Sequence, residues 1–145
     1  MESPDVLESY FWQQVKSGLS GEEIHLERIE NSTGSGVSDV SACSRGREIW
    51  LELKVAHRGW VSFRTAQDIF IRRRSAVGGI IFVLIRDEDT LKLYAPDSLL
   101  NAPRSVDPKG KRFRVKLANA VAPPIFQCTK PFRWTQVQEC IFARS

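Results

Sequence analysis

Three side chains in this sequence are of the right type and spacing for chemistry: Asp39, at the end of the run GSGVSD, and Glu52 and Lys54, both within IWLELKV. In an extended Ile49–Val55 segment, Ile49, Leu51, Leu53 and Val55 share one face, and Trp50, Glu52 and Lys54 share the other. The turn signal between the two runs is Ser44-Arg45-Gly46-Arg47, in which Gly46 supplies the positive φ of a tight hairpin. A turn centred between Arg45 and Gly46 sets Asp39 directly opposite Glu52, with Cβ atoms about 4.5–5.5 Å apart. Two carboxylates at that separation repel, and a cation resolves the conflict. Lys54, one strand-pair further along, completes a site able to hold a divalent metal and a developing anion. A bulge at Arg45–Gly46 would carry Asp39 off the face of Glu52.

The elements that must position these residues follow from pattern and punctuation. Ser3-Pro4 starts a helix, with Ser3 as N-cap, and Gly18 ends it near Lys16 or Ser17. At about 100° per residue, Glu8 falls within the apolar stripe of Leu7, Phe11, Trp12 and Val15. A carboxylate there needs a partner: it snorkels out or meets an arginine, or it belongs to a site. Ile24–Ile29 reads as a first strand. In the loop that follows, Gly34 and Gly36 are either punctuation or bare backbone beside Asp39 that a phosphate can approach.

Further on, a helix is expected over Phe63–Val77, with Ser62 as N-cap and Gly78-Gly79 as the stop. Its inner stripe reads as Ala66, Ile69, Phe70, Arg73 and Val77. Gln67, Ile71 and Arg74 lie on a flank, where periodicity alone makes Gln67 a surface residue. Ile80–Ile85 is a continuous apolar run, the pattern of a central strand buried on both faces. Asp87-Glu88-Asp89 reads as a solvated turn into an edge strand at Leu91–Tyr94, and Pro96-Asp97-Ser98 as a short helical turn. Lys109–Leu117 alternates, with Arg112, Arg114 and Lys116 opposite Phe113, Val115 and Leu117. This basic ribbon is either an edge strand protected by charge or a set of phosphate contacts. A last helix begins near Trp134, with Thr135 and Gln138 as a capping box and Phe132, Trp134, Val137 and Ile141 covering the core or a partner subunit.

Bulk properties narrow the function classes. A chain of 145 residues is expected to form one domain. No apolar run is long enough to span a bilayer, and the N-terminus lacks a signal-peptide pattern, so a cytoplasmic protein is expected. Cys43, Cys128 and Cys140 are odd in number and lack CxxC spacing, which argues against a disulfide scaffold or zinc site. His25 and His57 are isolated, and His57 in its Gly-Arg loop reads as a substrate contact or a surface group. The net charge of +4 permits nucleic-acid binding without requiring it.

The order helix, strand, strand, strand, helix, strand, with Asp39 followed by Glu52-Leu53-Lys54, resembles the PD-(D/E)XK nuclease superfamily. Within it, GSGVSD, IWLELKV and FRTAQ resemble the virus-type replication-repair nucleases (VRR-NUC) and the related Holliday-junction resolvases. The resemblance covers about residues 4–94 and leaves 95–145 as an extension without a counterpart. It implies an α/β, restriction-endonuclease-like αβββαβ core with a mixed central sheet flanked by helices. By the same resemblance Asp39 and Glu52 would bind Mg2+ or Mn2+, with the Leu53 carbonyl as a third oxygen. Lys54 would place the attacking water or stabilise the pentavalent state, Glu8 would assist the metal or its water, and Gln67 would be the glutamine that follows the motif. Ser38 stands where the family has proline.

The activity implied is a metal-dependent, structure-selective DNA endonuclease. It would be a junction resolvase working as a homodimer, and phage-encoded, acting in the host cytoplasm. Ser35, Arg58, Arg64, Arg72, Arg74, Arg112, Arg114 and Lys116 are the expected DNA contacts. The alternatives are a nicking, restriction-like or DNA-degrading nuclease, or a nucleic-acid-binding module without catalysis.

Overall fold

The computed structural model describes residues 4–29, 36 and 38–143. Helix α1 (Pro4–Gly18) is followed by β1 (Ile24–Arg28), β2 (Val40–Ser44), β3 (Arg47–Val55), β4 (Trp60–Arg64) and α2 (Thr65–Ala76). Then come β5 (Ile81–Asp87), β6 (Thr90–Tyr94), α3 (Pro96–Leu100), β7 (Arg104–Val106), β8 (Arg112–Lys116), β9 (Phe126–Thr129) and α4 (Trp134–Phe142). The described residues form one mixed sheet in the order β1-β2-β3-β5-β6-β9 and a second, antiparallel sheet in the order β4-β8-β7. No described helix is long and apolar enough to cross a membrane.

The β2–β3 hairpin turns at Arg45 and Gly46, both with positive φ. Its register pairs Val40 with Leu51 and Ser44 with Arg47, so Asp39 comes opposite Glu52 one step past the ladder. This is the register expected from the turn. Strand β3 then pairs in parallel with β5, from Trp50↔Ile81 to Val55↔Arg86. Parallel neighbours need a crossover that passes over one face of the sheet. Here β4 and α2 form it, which lays the start of α2 over the face of β3 that carries Glu52 and Lys54.

Both faces of the main sheet are covered. Phe11, Trp12 and Val15 of α1, with Val137 and Ile141 of α4, pack on Ile49, Leu51 and Leu53. On the other side, Ile81, Val83 and Ile85 meet Val61 and Phe63 of β4, Phe113 and Val115 of β8, and Ile71 of α2. Full burial of one such side chain stabilises by roughly 1.5–3 kcal/mol, so the two clusters hold β3 and β5 rigidly between them.

Several expectations are corrected. Ser62 and Phe63 lie in β4 rather than at the start of a helix, and the residue before α2 is Arg64. The stripe of α2 is also out of phase: Ile69 and Val77 are 52% and 83% exposed and Arg73 is exposed, whereas Gln67, Asp68 and Ile71 are buried. Those two polar residues tolerate burial because each finds charged or polar partners; Asp68 accepts from Arg72 (2.6 Å) and Arg104 (3.0 Å).

Strand β6 is internal, since β9 pairs with it, and β8 is the middle strand of the second sheet rather than an edge. Gln138 donates to the Gly18 carbonyl and forms no capping box with Thr135, which lies inside α4. Glu8 is exposed rather than within the buried stripe, whereas Phe11, Trp12 and Val15 are buried. Ser3, Gly34, Ser35 and Val37 lie outside the described residues.

Candidate active site

Glu52 and Lys54 project from the middle of β3 into the space beneath α2. Glu52 is fully buried and Lys54 is 8% exposed. Their charged ends are 3.7 Å apart, from Lys54 Nζ to Glu52 Oε1. Gln67, in the first turn of α2, joins them: its Nε2 donates to Glu52 Oε1 at 2.7 Å and its Oε1 accepts from Lys54 Nζ at 3.0 Å. The same oxygen accepts the Arg64 backbone N–H at 2.8 Å. That last bond satisfies a main-chain donor at the helix start and fixes which way the amide points. Lys54 Nζ also sits 4.9 Å from the centre of the Phe63 ring, a cation–π contact that helps hold the ammonium out of water.

Asp39 enters from the end of β2. Its Oδ2 accepts the Leu53 N–H at 2.8 Å, and its own carbonyl accepts the Ile29 N–H at 2.8 Å. Burial pushes the Glu52 carboxyl well above the ordinary carboxylate range. Lys54 draws it back, the neighbouring Asp39 raises it again, and the Ser38 hydroxyl lowers it.

Each carboxylate is therefore tied to the scaffold through one oxygen. Glu52 Oε2 is buried without a partner among the described residues, and so is Ser38 Oγ. An orphaned buried carboxylate oxygen beside a second carboxylate suits a hard divalent cation, and the Leu53 main chain lies between them. The described residues contain no group of three or more His, Cys, Asp or Glu side chains placed to hold a metal. The oxygens on offer are thus two carboxylates plus main chain.

The structure brings together Asp39, Glu52, Lys54 and Gln67, the last as a buried bridge rather than a surface residue. Glu8 is exposed. Gly36, with φ +80°, is buried against the Ala66 and Gln67 backbone, which leaves no room for a Cβ. Its missing side chain thus serves packing on α2 rather than an open approach for phosphate.

The expected DNA contacts divide into three groups. Arg58 is exposed in the tight turn between β3 and β4, with φ 53°. Arg112, Arg114 and Lys116 are exposed along β8, where the register sets Arg64 opposite Arg112 and Trp60 opposite Lys116. Arg72 is engaged by Asp68, the Leu100 carbonyl and Asn101, and Arg74 stacks on Trp50 and Phe70.

Ser38, Phe63 and Trp60 were not singled out by type and spacing. Trp60 is flanked by Arg114 at 4.7 Å and Lys116 at 5.7 Å. The alternation Trp60-Val61-Ser62-Phe63-Arg64 is the strand signal that would have found it and Phe63 together.

No protein-family model matches this chain, and no curated protein does. Among solved structures it is similar to Hjc, a Holliday junction resolvase of the archaeal hyperthermophile Archaeoglobus fulgidus. The likeness covers 79% of this chain and 87% of that one, with a TM-score of 0.55 and 12% sequence identity. It shows the fold: a mixed sheet flanked by helices, the α/β restriction-endonuclease-like architecture.

Proposed function

We propose that this protein is a metal-dependent DNA endonuclease that hydrolyses phosphodiester bonds, with branched or junction DNA as its substrate. The observation that carries this reading is buried Glu52 and Lys54 beside Asp39, in which Glu52 Oε2 has no partner among the described residues, on a doubly covered strand. Mg2+ or Mn2+ is assigned to Asp39, Glu52 and the Leu53 carbonyl, where it would neutralise a phosphoryl oxygen and lower the pKa of a bound water.

The chain's own residues do the rest. Gln67 holds the Lys54 ammonium 3.0 Å away and Glu52 at 2.7 Å, so the lysine can orient a water or meet the charge that develops on the phosphate. Glu8, exposed at the start of α1, is assigned an assisting role through water. The outer face of the second sheet, with Arg64, Arg112, Arg114, Lys116 and Trp60, gives the DNA backbone a basic track that starts beside Gln67. Junction DNA as substrate is favoured by the resemblance of the motifs and by the activity named for Hjc. A homodimer is favoured because two strands of a junction need two active sites.

The test is cleavage of a four-way junction, a flap and a linear duplex with Mg2+ or Mn2+, wild type beside Asp39→Ala and Lys54→Ala. Cutting of the junction that both substitutions abolish supports the reading. Equal cutting by the variants removes the site assignment, and a preference for linear duplex moves the substrate to a restriction-like or DNA-degrading class.

A further inference from the structure

Two buried side-chain polar atoms lack a partner among the described residues, Ser38 Oγ and Glu52 Oε2. Both residues are 0% exposed. They lie at the same place in the fold, since Ser38 immediately precedes Asp39, and Asp39 comes opposite Glu52 at the end of the β2–β3 ladder. Buried polar groups are satisfied in more than 90% of cases or so, so two orphans side by side point to one missing occupant rather than two separate defects.

Their chemistry is complementary around such an occupant. Glu52 Oε2 is an acceptor with a charge to share, whereas the serine hydroxyl both donates and accepts. The hydroxyl is also near enough to Glu52 to favour its ionised form, and neither orphaned atom meets hydrogen-bond geometry with a partner among the described residues.

We propose that Ser38 is a positioning residue of the cation site, its hydroxyl holding a water of the hydrated cation that Glu52 Oε2 ligates. This rests on the metal-dependent reading above and adds to it a residue that the family motif does not supply, since proline at this position has no hydroxyl. Groups that orient ligands and waters from outside the ligand shell are worth about 10–100-fold in metal affinity. The role has an unusual sign. Without metal the hydroxyl, buried with no partner among the described residues, weakens the fold, whereas with metal it strengthens binding.

The experiment is Mn2+ titration by calorimetry, with thermal melts in the presence and absence of Mn2+, of the full chain as wild type and Ser38→Ala. The expected result is that the variant without metal melts no lower than wild type, yet binds Mn2+ about 10–100-fold more weakly. Mn2+ affinity equal to wild type overturns the proposal while leaving the metal site intact. A variant that melts lower without metal, or fails to fold, also overturns it, because the hydroxyl would then be a structural group. If the wild type binds no Mn2+, both this inference and the metal-dependent reading fall.

Discussion

Strand β3 has two buried faces of opposite character, and the contrast between them locates the function. Ile49, Leu51 and Leu53 face α1 and α4 and need nothing beyond exclusion of water. Glu52 and Lys54, on the alternate positions of the same strand, are almost as deeply buried but must be held by Gln67, Phe63 and the backbone of Arg64. Even then one Glu52 oxygen has no partner among the described residues. A buried ion pair of this kind is weak evidence for stability, because well-packed apolar residues of similar volume are often as stable or more so. The apolar face thus accounts for the fold, and the polar face calls for a ligand.

That contrast can be broken by substitution. The largest expected effect is on activity: Asp39→Ala, Glu52→Ala or Lys54→Ala should each lower DNA cleavage by on the order of 10²–10³ or more, measured as single-turnover rates on proteins whose circular dichroism is unchanged. Leu51→Ala, on the other face, should lower stability by about 2–5 kcal/mol in urea unfolding, with the rate of the remaining folded protein little changed. If Leu51→Ala abolishes cleavage in its folded fraction, or the polar-face variants cleave as wild type does, the two faces do not differ as described.

Gln67→Ala leaves Lys54 and Glu52 without their common bridge and should reduce cleavage by about 10–100-fold. A smaller effect is expected at the second sheet. Replacing Arg112, Arg114 and Lys116 by serine should make the slope of log affinity against log salt shallower by about 0.9 per lost phosphate contact, read by fluorescence anisotropy with labelled DNA.

The raised pKa of Glu52 sharpens the same comparison. Its folded value lies above the ordinary 4.5, so the folded state holds a proton that the unfolded state has released. Without metal, stability should therefore fall as pH rises from about the ordinary value through the folded one, and Glu52→Gln should flatten that fall in melts across pH. Cation binding competes with the same proton, so Mn2+ affinity should rise with pH over the same interval.

The hairpin was legible in the sequence because its information is local. Gly46 sets the turn, the turn sets the register, and the register pairs Asp39 with Glu52. The helix after it was read out of phase because its buried residues are polar. Gln67 and Asp68 turn inward toward Lys54, Glu52 and Arg104, partners that local periodicity does not reveal. Exposed Ile69 and Val77 drew the apolar stripe to the wrong side. Strand β4 carries its own alternation, Trp60-Val61-Ser62-Phe63-Arg64, but Ser62 also has the type of an N-cap, which hides the strand beneath a helix start. Glu8 keeps the helical phase of Phe11 and Val15, but phase does not say where along a helix its cover begins.

The central claim is that the polar face of β3 is a metal-dependent hydrolytic centre, and the most direct measurement is a Mg2+ titration of junction cleavage by wild type and Glu52→Gln. The account predicts cleavage that appears and saturates with Mg2+ in the wild type and is lost in the variant at every concentration. Cleavage that does not depend on Mg2+, or that survives in Glu52→Gln, would contradict it.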